Sequence, residues 1–186
     1  MKRRWPLLLA VPALAALQLT FLRMEDRGSP DIVEASNAPT YTVDDAKLAR
    51  YDSDGDLALR GHADHVEYYD DRSAQAAGLS LETLNDGKTG WHLVSPTASM
   101  PAGQDRYLLE GPVVVTGNWP DTGEPVRVDS TQVWVDPDIH QFFSATPVTI
   151  QGQTRQGSAV GMRADWDSHR LLLQRDVKMT YVAAHS

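Results

Sequence analysis

The chain repeats itself, and the repeat limits its fold more than any single motif does. At an offset of 29 residues, Val133-Trp134-Val135-Asp136-Pro137-Asp138-Ile139-His140-Gln141-Phe142-Phe143 lies over Met162-Arg163-Ala164-Asp165-Trp166-Asp167-Ser168-His169-Arg170-Leu171-Leu172. Val148-Thr149-Ile150 then lies over Val177-Lys178-Met179, with Asp, Asp, His and Val recurring in register. A third copy, at an offset of 35, sets Tyr107 to Val115 over Phe142 to Ile150. Each unit reads as a strand, an Asp-rich turn and a second strand broken near Pro or Asp. One hairpin cannot bury its own apolar face, so the units must stack.

A period of two assigns the faces. Tyr107, Leu109, Val113 and Val115 share one side, as do Phe142, Ser144, Val148 and Ile150, and as do Leu171, Leu173, Val177, Met179 and Tyr181. Glu110, Gln174, Asp176, Lys178 and Thr180 fall on the opposite side. Sheets that are apolar inside and solvated outside describe a sandwich or a folded-over roll. Upstream, Ala46 to Tyr51 and Leu57 to Leu59 flank Asp54-Gly55, a strong hairpin signal with both turn residues suited to positive φ. From Pro39 onward no window of 11 or more residues sustains a helical stripe, so the expected class is all-β.

The N-terminus is different. Lys2, Arg3 and Arg4 precede an apolar run from Trp5 to Leu22, broken only by Gln18 and Thr20 and followed by Arg23. Eighteen residues is the lower limit for spanning ~30 Å of hydrocarbon. The cations place the N-terminus in the cytoplasm and the rest of the chain outside. Ala13-Leu14-Ala15 imitates a signal-peptidase site, but the apolar stretch runs on past it, which favours an uncleaved anchor. The expected organisation is an anchor over 1–23, a linker over 24–38 and an exported domain over 39–186.

All 25 acidic residues lie beyond residue 23, against 13 of the 17 Lys and Arg, so the exported part carries −12. Such a field repels nucleic acid and anionic lipid surfaces. The chain has no Cys, which excludes disulfide scaffolds, thiolate metal sites and thiol nucleophiles.

Chemistry-bearing patterns reduce to turns. Asp136-x-Asp138-x-His140 and Asp165-x-Asp167-x-His169 have the donor types of a zinc, manganese or iron site, yet both fall on the same hairpin turn of successive repeats, where Asp bonds its own backbone. Asp52-Ser53-Asp54-Gly55-Asp56 resembles the head of a calcium loop, but its twelfth position is Ala63 instead of Glu. His62 and His65 lie near Glu67 without an adjacent nucleophile, and no phosphate-binding loop is present. The expectation is a protein with no catalytic residues, no metal and no cofactor.

Pro39-Thr40-Tyr41, His65-Val66-Glu67-Tyr68-Tyr69, Trp91, Leu109-x-Gly111-x-Val113-x-Val115, Pro147-Val148 leading to Gly152, Gly161-Met162-Arg163 and Val177-x-x-x-Tyr181, at these distances from the anchor, resemble the LptC family of lipopolysaccharide-export proteins. The resemblance implies a single transmembrane helix and a periplasmic β-jellyroll of two facing antiparallel sheets, open along one edge. It implies a groove that takes lipopolysaccharide from the inner-membrane ABC transporter and passes it to a periplasmic bridge protein of the same fold. Family positions facing the lipid fall on Ala46, Leu171 and Tyr181. Together with the inward faces above, the expected lipid-binding set is Ala46, Leu48, Leu109, Val113, Val115, Phe142, Val148, Ile150, Leu171, Leu173, Val177, Met179 and Tyr181. Partner contacts are expected at Gly152, Leu171, Val177 and Tyr181, the C-terminal strand being the donating edge. One departure is Ser73-Ala74-Gln75-Ala76-Ala77-Gly78, where family members place bulky aromatics. Shelter is the physical need: each exposed methylene costs ~0.8 kcal/mol, or about 10 kcal/mol for a chain of about a dozen. The alternative is a membrane-tethered scaffold with a filled core that docks partners without binding lipid.

Overall fold

The computed structural model describes residues 38–181, apart from 53, 54, 86, 120 and 169. The expected anchor, and all but the last residue of the expected linker, lie outside the described residues. Among the described residues no helix is long and apolar enough to cross a membrane.

Nine strands follow one another: β1 (Tyr41–Tyr51), β2 (Leu57–Tyr68), β3 (Ala74–Asn85), β4 (Lys88–Met100), β5 (Tyr107–Asn118), β6 (Pro125–Asp136), β7 (Gln141–Gly152), β8 (Arg155–Asp165) and β9 (Arg170–Tyr181). They form one antiparallel sheet in chain order, with β1 and β9 as its edges. The 29-residue repeat is the β6–β7 hairpin followed by the β8–β9 hairpin. The β1–β2 ladder closes at Tyr51↔Leu57, so that turn takes five residues, with Gly55 at φ +90°.

Every ladder is interrupted near mid-strand. The pairing skips or shifts at Asp45 in β1, between His62 and His65 in β2, at Gly78 in β3, at Pro96 in β4, between Glu110 and Val113 in β5, and between Ser144 and Pro147 in β7. The β8–β9 register shifts between Ser158 and Val160. These breaks line up across the sheet as a crease. Their chemistry is local. Gly111 sits at φ +94°, and a Cβ there would lie 2.8 Å from Pro96 Cγ, so only glycine suits the bend. Hydroxyls replace the lost ladder bonds. Ser95 Oγ lies 2.6 Å from the Thr97 carbonyl and 2.7 Å from that of Glu110. Ser130 Oγ lies 3.1 Å from Ser144 Oγ and 2.9 Å from Thr146 Oγ1. Ser95, Ser130 and Ser144 are all buried, which only partnered hydroxyls tolerate.

The apolar faces of β2 to β8 build a single core. Trp91 of β4 and Phe142 of β7 meet edge to face at 5.3 Å between ring centroids. Strands three places apart in a flat sheet lie about 14 Å apart, so the sheet curls over its own apolar side. Phe142, Ser144, Val148 and Ile150 are buried together, as the period of two predicts for β7. On β9, Leu171, Leu173 and Met179 pack partly against the core, whereas Val177 and Tyr181 are 47% and 71% exposed. The difference from the expected inward set arises because β9 is an edge with a ladder on one side only and a positive φ at Asp176.

Candidate functional site

An apolar cavity of about 270 Å³ opens between the N-terminal strands. Its apolar walls are Ala46 and Leu48 of β1, Ala63, Val66 and Tyr68 of β2, Ala74, Ala76 and Leu79 of β3, Ala98 and Met100 of β4, and Tyr107 of β5, and Lys47, His62, Gln75 and Ser99 also line it. Five alanines explain the space. Each stands on the core side of its strand, where β5 to β8 carry Leu109, Val113, Val128, Val133, Phe142 and Ile150, all with no exposed surface. The strands therefore share one pattern, and the hollow end of β1 to β4 differs from β5 to β8 in side-chain volume, while Leu59, Leu81 and Leu93 fill the other end of β2 to β4.

Two of the expected lipid-facing residues, Ala46 and Leu48, line this cavity. Leu109, Val113, Val115, Phe142, Val148 and Ile150 lie inside the packed core and do not line it. Leu171, Leu173 and Met179 flank the core at the far edge. Sequence reasoning missed the main lining, on β2, β3 and β4. Its signal was present in Ala74-x-Ala76, the segment that departs from the family pattern by being small.

Gly152 ends β7 against the β5–β6 turn. A Cβ there would lie 2.9 Å from Trp119 Nε1 and 3.1 Å from the Arg155 carbonyl, so close packing of backbone against indole explains the glycine. Around it the Arg155 guanidinium sits 5.2 Å over the Trp119 ring and 2.9 Å from Asp121, whose carboxyl it holds below the usual range through that hydrogen bond. Thr154 Oγ1 donates to Glu124 at 2.7 Å.

Polar pins hold β1. Asp45 contacts His62 Nε2 at 2.7 Å and Asp44 contacts His65 Nδ1 at 2.6 Å, each across the β1–β2 ladder. The hydrogen bond that the His65 ring N–H donates to Asp44 raises the His65 pKa from its ordinary value, and the one from His62 lowers that of the Asp45 carboxyl. Thr40 Oγ1 donates to Asp70 at 2.5 Å. Farther along, Arg50 pairs with Asp138 in the β6–β7 turn. Beside that pair, Tyr107 is pushed up mainly by burial, with Arg50 working in the opposite direction.

The first Asp of each turn motif accepts a backbone N–H within its own turn, while His140 reaches across to the next turn. The Asp136 carboxylate accepts from the Asp138 backbone N–H at 3.3 Å, that of Asp165 from the Ser168 N–H at 2.8 Å, and that of Asp52 from the Asp56 N–H at 2.9 Å. His140 stacks on Trp166 and meets Asp167 at 2.5 Å. Among the described residues no cluster of His, Asp and Glu is arranged to hold a metal ion.

An alanine-lined hollow inside a creased antiparallel sheet, bounded by two open edges, is the setting in which the comparisons bear on the chain. The sequence profile of the lipopolysaccharide-assembly, LptC-related family matches residues 7–182. The chain belongs to the LptC family. It is 27% identical over 183 residues to the lipopolysaccharide export system protein LptC of Escherichia coli K12, covering 96% of this chain and 93% of that one. The LptC of Shigella flexneri gives the same figures. Among solved structures, the chain is similar to LptH of Pseudomonas aeruginosa, described as the LptA-homologous periplasmic component of a lipopolysaccharide transport device. The TM-score is 0.52 at 10% identity, over 67% of this chain and 95% of LptH. At that identity the likeness is one of fold: an all-β antiparallel sheet shared between this LptC-family chain and an LptA homologue.

Proposed function

We propose that this protein is a non-enzymatic component of lipopolysaccharide export. Residues 1–23 anchor it in the inner membrane, 24–38 link, and 39–186 form a periplasmic domain. In this reading the crease folds the nine strands into the two facing layers of a jellyroll. Acyl chains of lipopolysaccharide released by the inner-membrane ABC transporter then lie between the layers. The lipid enters the cavity of β1 to β4, passes the set from Leu109 to Ile150, and leaves along Leu171, Leu173, Val177, Met179 and Tyr181. The β9 edge, aided by the Gly152 corner, donates its strand to a periplasmic bridge protein of the same fold.

The observation that carries this proposal is the apolar cavity walled by Ala46, Ala63, Ala74, Ala76 and Ala98. A hollow walled mainly by small apolar side chains has no structural use in a filled core, whereas it accommodates methylenes that must stay out of water. The test is photo-cross-linking from Met100, Leu171 and Tyr181, one at a time, in membranes containing lipopolysaccharide, with Lys178 as control. Adducts at the three sites and none at Lys178 are expected. Absence of adducts at all three in folded protein overturns the proposal. The second reading, a tethered scaffold that docks partners without lipid, is favoured by the complete burial of Leu109, Val113, Val115 and Phe142, and that negative result would select it.

A further inference from the structure

The two edges of the sheet are not equivalent. None of the residues of β1 is buried, and none of β9 is, as befits edge strands. Only β1, however, walls the cavity, through Ala46 and Leu48, and no β9 residue lines it. Only those two β1 residues pack against the core. The rest of its attachment is the β2 ladder, the stacking of Tyr41 on Tyr68 at 4.6 Å between ring centroids, and a series of polar contacts.

One of those contacts reaches a wall to which β1 is not laddered. In a flat sheet β1 and the β6–β7 turn lie about 24 Å apart. Yet Arg50, at the end of β1, pairs with Asp138 in that turn, beside Tyr107 of the cavity wall. The pair closes the curl of the sheet over the hollow. Arg50 and Asp138 are 36% and 55% exposed, so water competes for both and the contact is weak and reversible.

We propose that the second half of β1, Ala46 to Tyr51, is a lateral gate to the alanine-lined cavity and that Arg50–Asp138 is its latch. Ala46 to Tyr51 stays laddered on β2, from Ala46↔Ala63 to Tyr51↔Leu57, so the β1–β2 edge moves as one piece and the seam that parts is the one between β1 and Tyr107, where no ladder runs. Opening exposes Ala46 and Leu48 and breaks one surface ion pair. The apolar ligand then enters sideways between β1 and Tyr107 and need not thread lengthwise from an end of the sheet. This inference rests on the cavity being an acyl-chain site.

The test uses the full chain in lipid nanodiscs, with lipopolysaccharide as the probe and the rate of ultraviolet adduct formation from a photoreactive residue at Met100 as the readout. The chain lacks Cys, so Arg50→Cys with Asp138→Cys places a unique thiol pair for a bismaleimide bridge. Bridging before lipopolysaccharide is added is expected to slow adduct formation at least tenfold relative to the same protein capped singly at each thiol. Bridging after loading is expected to leave the adduct yield unchanged, which shows that the bridge does not fill the hollow. Arg50→Gln is expected to accelerate loading several-fold, and the charge swap Arg50→Asp with Asp138→Arg to restore the original rate. Equal rates in bridged and capped protein overturn the gate while leaving the acyl-chain site standing. Absence of adducts in every form overturns both.

Discussion

The halves of this sheet solve the same packing problem in different ways. From β5 to β8 the inward positions hold Leu109, Val113, Val133, Phe142 and Ile150, and no surface of them remains exposed. From β1 to β4 the inward side fills one end with Leu59, Leu81, Leu93 and Trp91 and leaves the other to Ala46, Ala63, Ala74, Ala76 and Ala98, where a cavity of about 270 Å³ remains. Backbone and hydrogen-bond pattern are alike, so the difference lies in side-chain volume. The filled stretches supply cohesion and the hollow end supplies room. Apolar burial alone does not distinguish the two, because both are greasy.

The contrast is most severely tested at its filled end. Val148→Arg places a charge at a site 1% exposed, and no folded baseline is expected in thermal unfolding followed by circular dichroism. A cooperative transition within a few degrees of the parent would mean that the C-terminal half is open as well. Phe142→Ala removes the ring that touches both Trp91 and Trp166 and is expected to destabilise by about 3–5 kcal/mol in urea titration. At the hollow end the sign changes. Ala76→Leu is expected to shift stability by under about 1 kcal/mol, because the added methylenes enter existing space, while it abolishes the lipid adduct at Met100. A loss of about 2 kcal/mol or more would show that the wall is already tight. The smallest effect is electrostatic. Folding raises the His65 pKa through Asp44, so this contact stabilises β1 at pH below 6.5 and its contribution fades as pH rises through the folded-state value. The His65 ring protons in NMR titration are expected to show a midpoint above 6.5 that falls in Asp44→Asn.

Strands and turns were legible in the sequence to the extent that they obey a local rule. The period of two located the buried faces of β5 and β7, and the 29-residue repeat located the hairpins that follow. The rule failed at the β9 edge, because Val177 and Tyr181 alternate like inward residues while among the described residues no further strand covers them. The cavity was less legible. Alternation marks which side of a strand faces in and says nothing of what stands opposite, so it does not show that the alanines at 63, 74, 76 and 98 share one hollow. Gly152 could be singled out by resemblance, but its reason, the Trp119 indole 2.9 Å from where its Cβ would be, depends on two hairpins meeting. Arg50 and Asp138, 88 residues apart, carry no local signal at all.

The order of the sheet also has a consequence in time. Because every strand ladders only with its neighbours in the chain, β1 can zip to β2 and β2 to β3 as each emerges, without a distant segment having to arrive first. Short-range pairing of this kind lowers the loop-closure entropy that slows most all-β chains. The Arg50–Asp138 contact is the exception: it forms only after β6 has emerged, so the domain assembles as an open trough and closes its seam late.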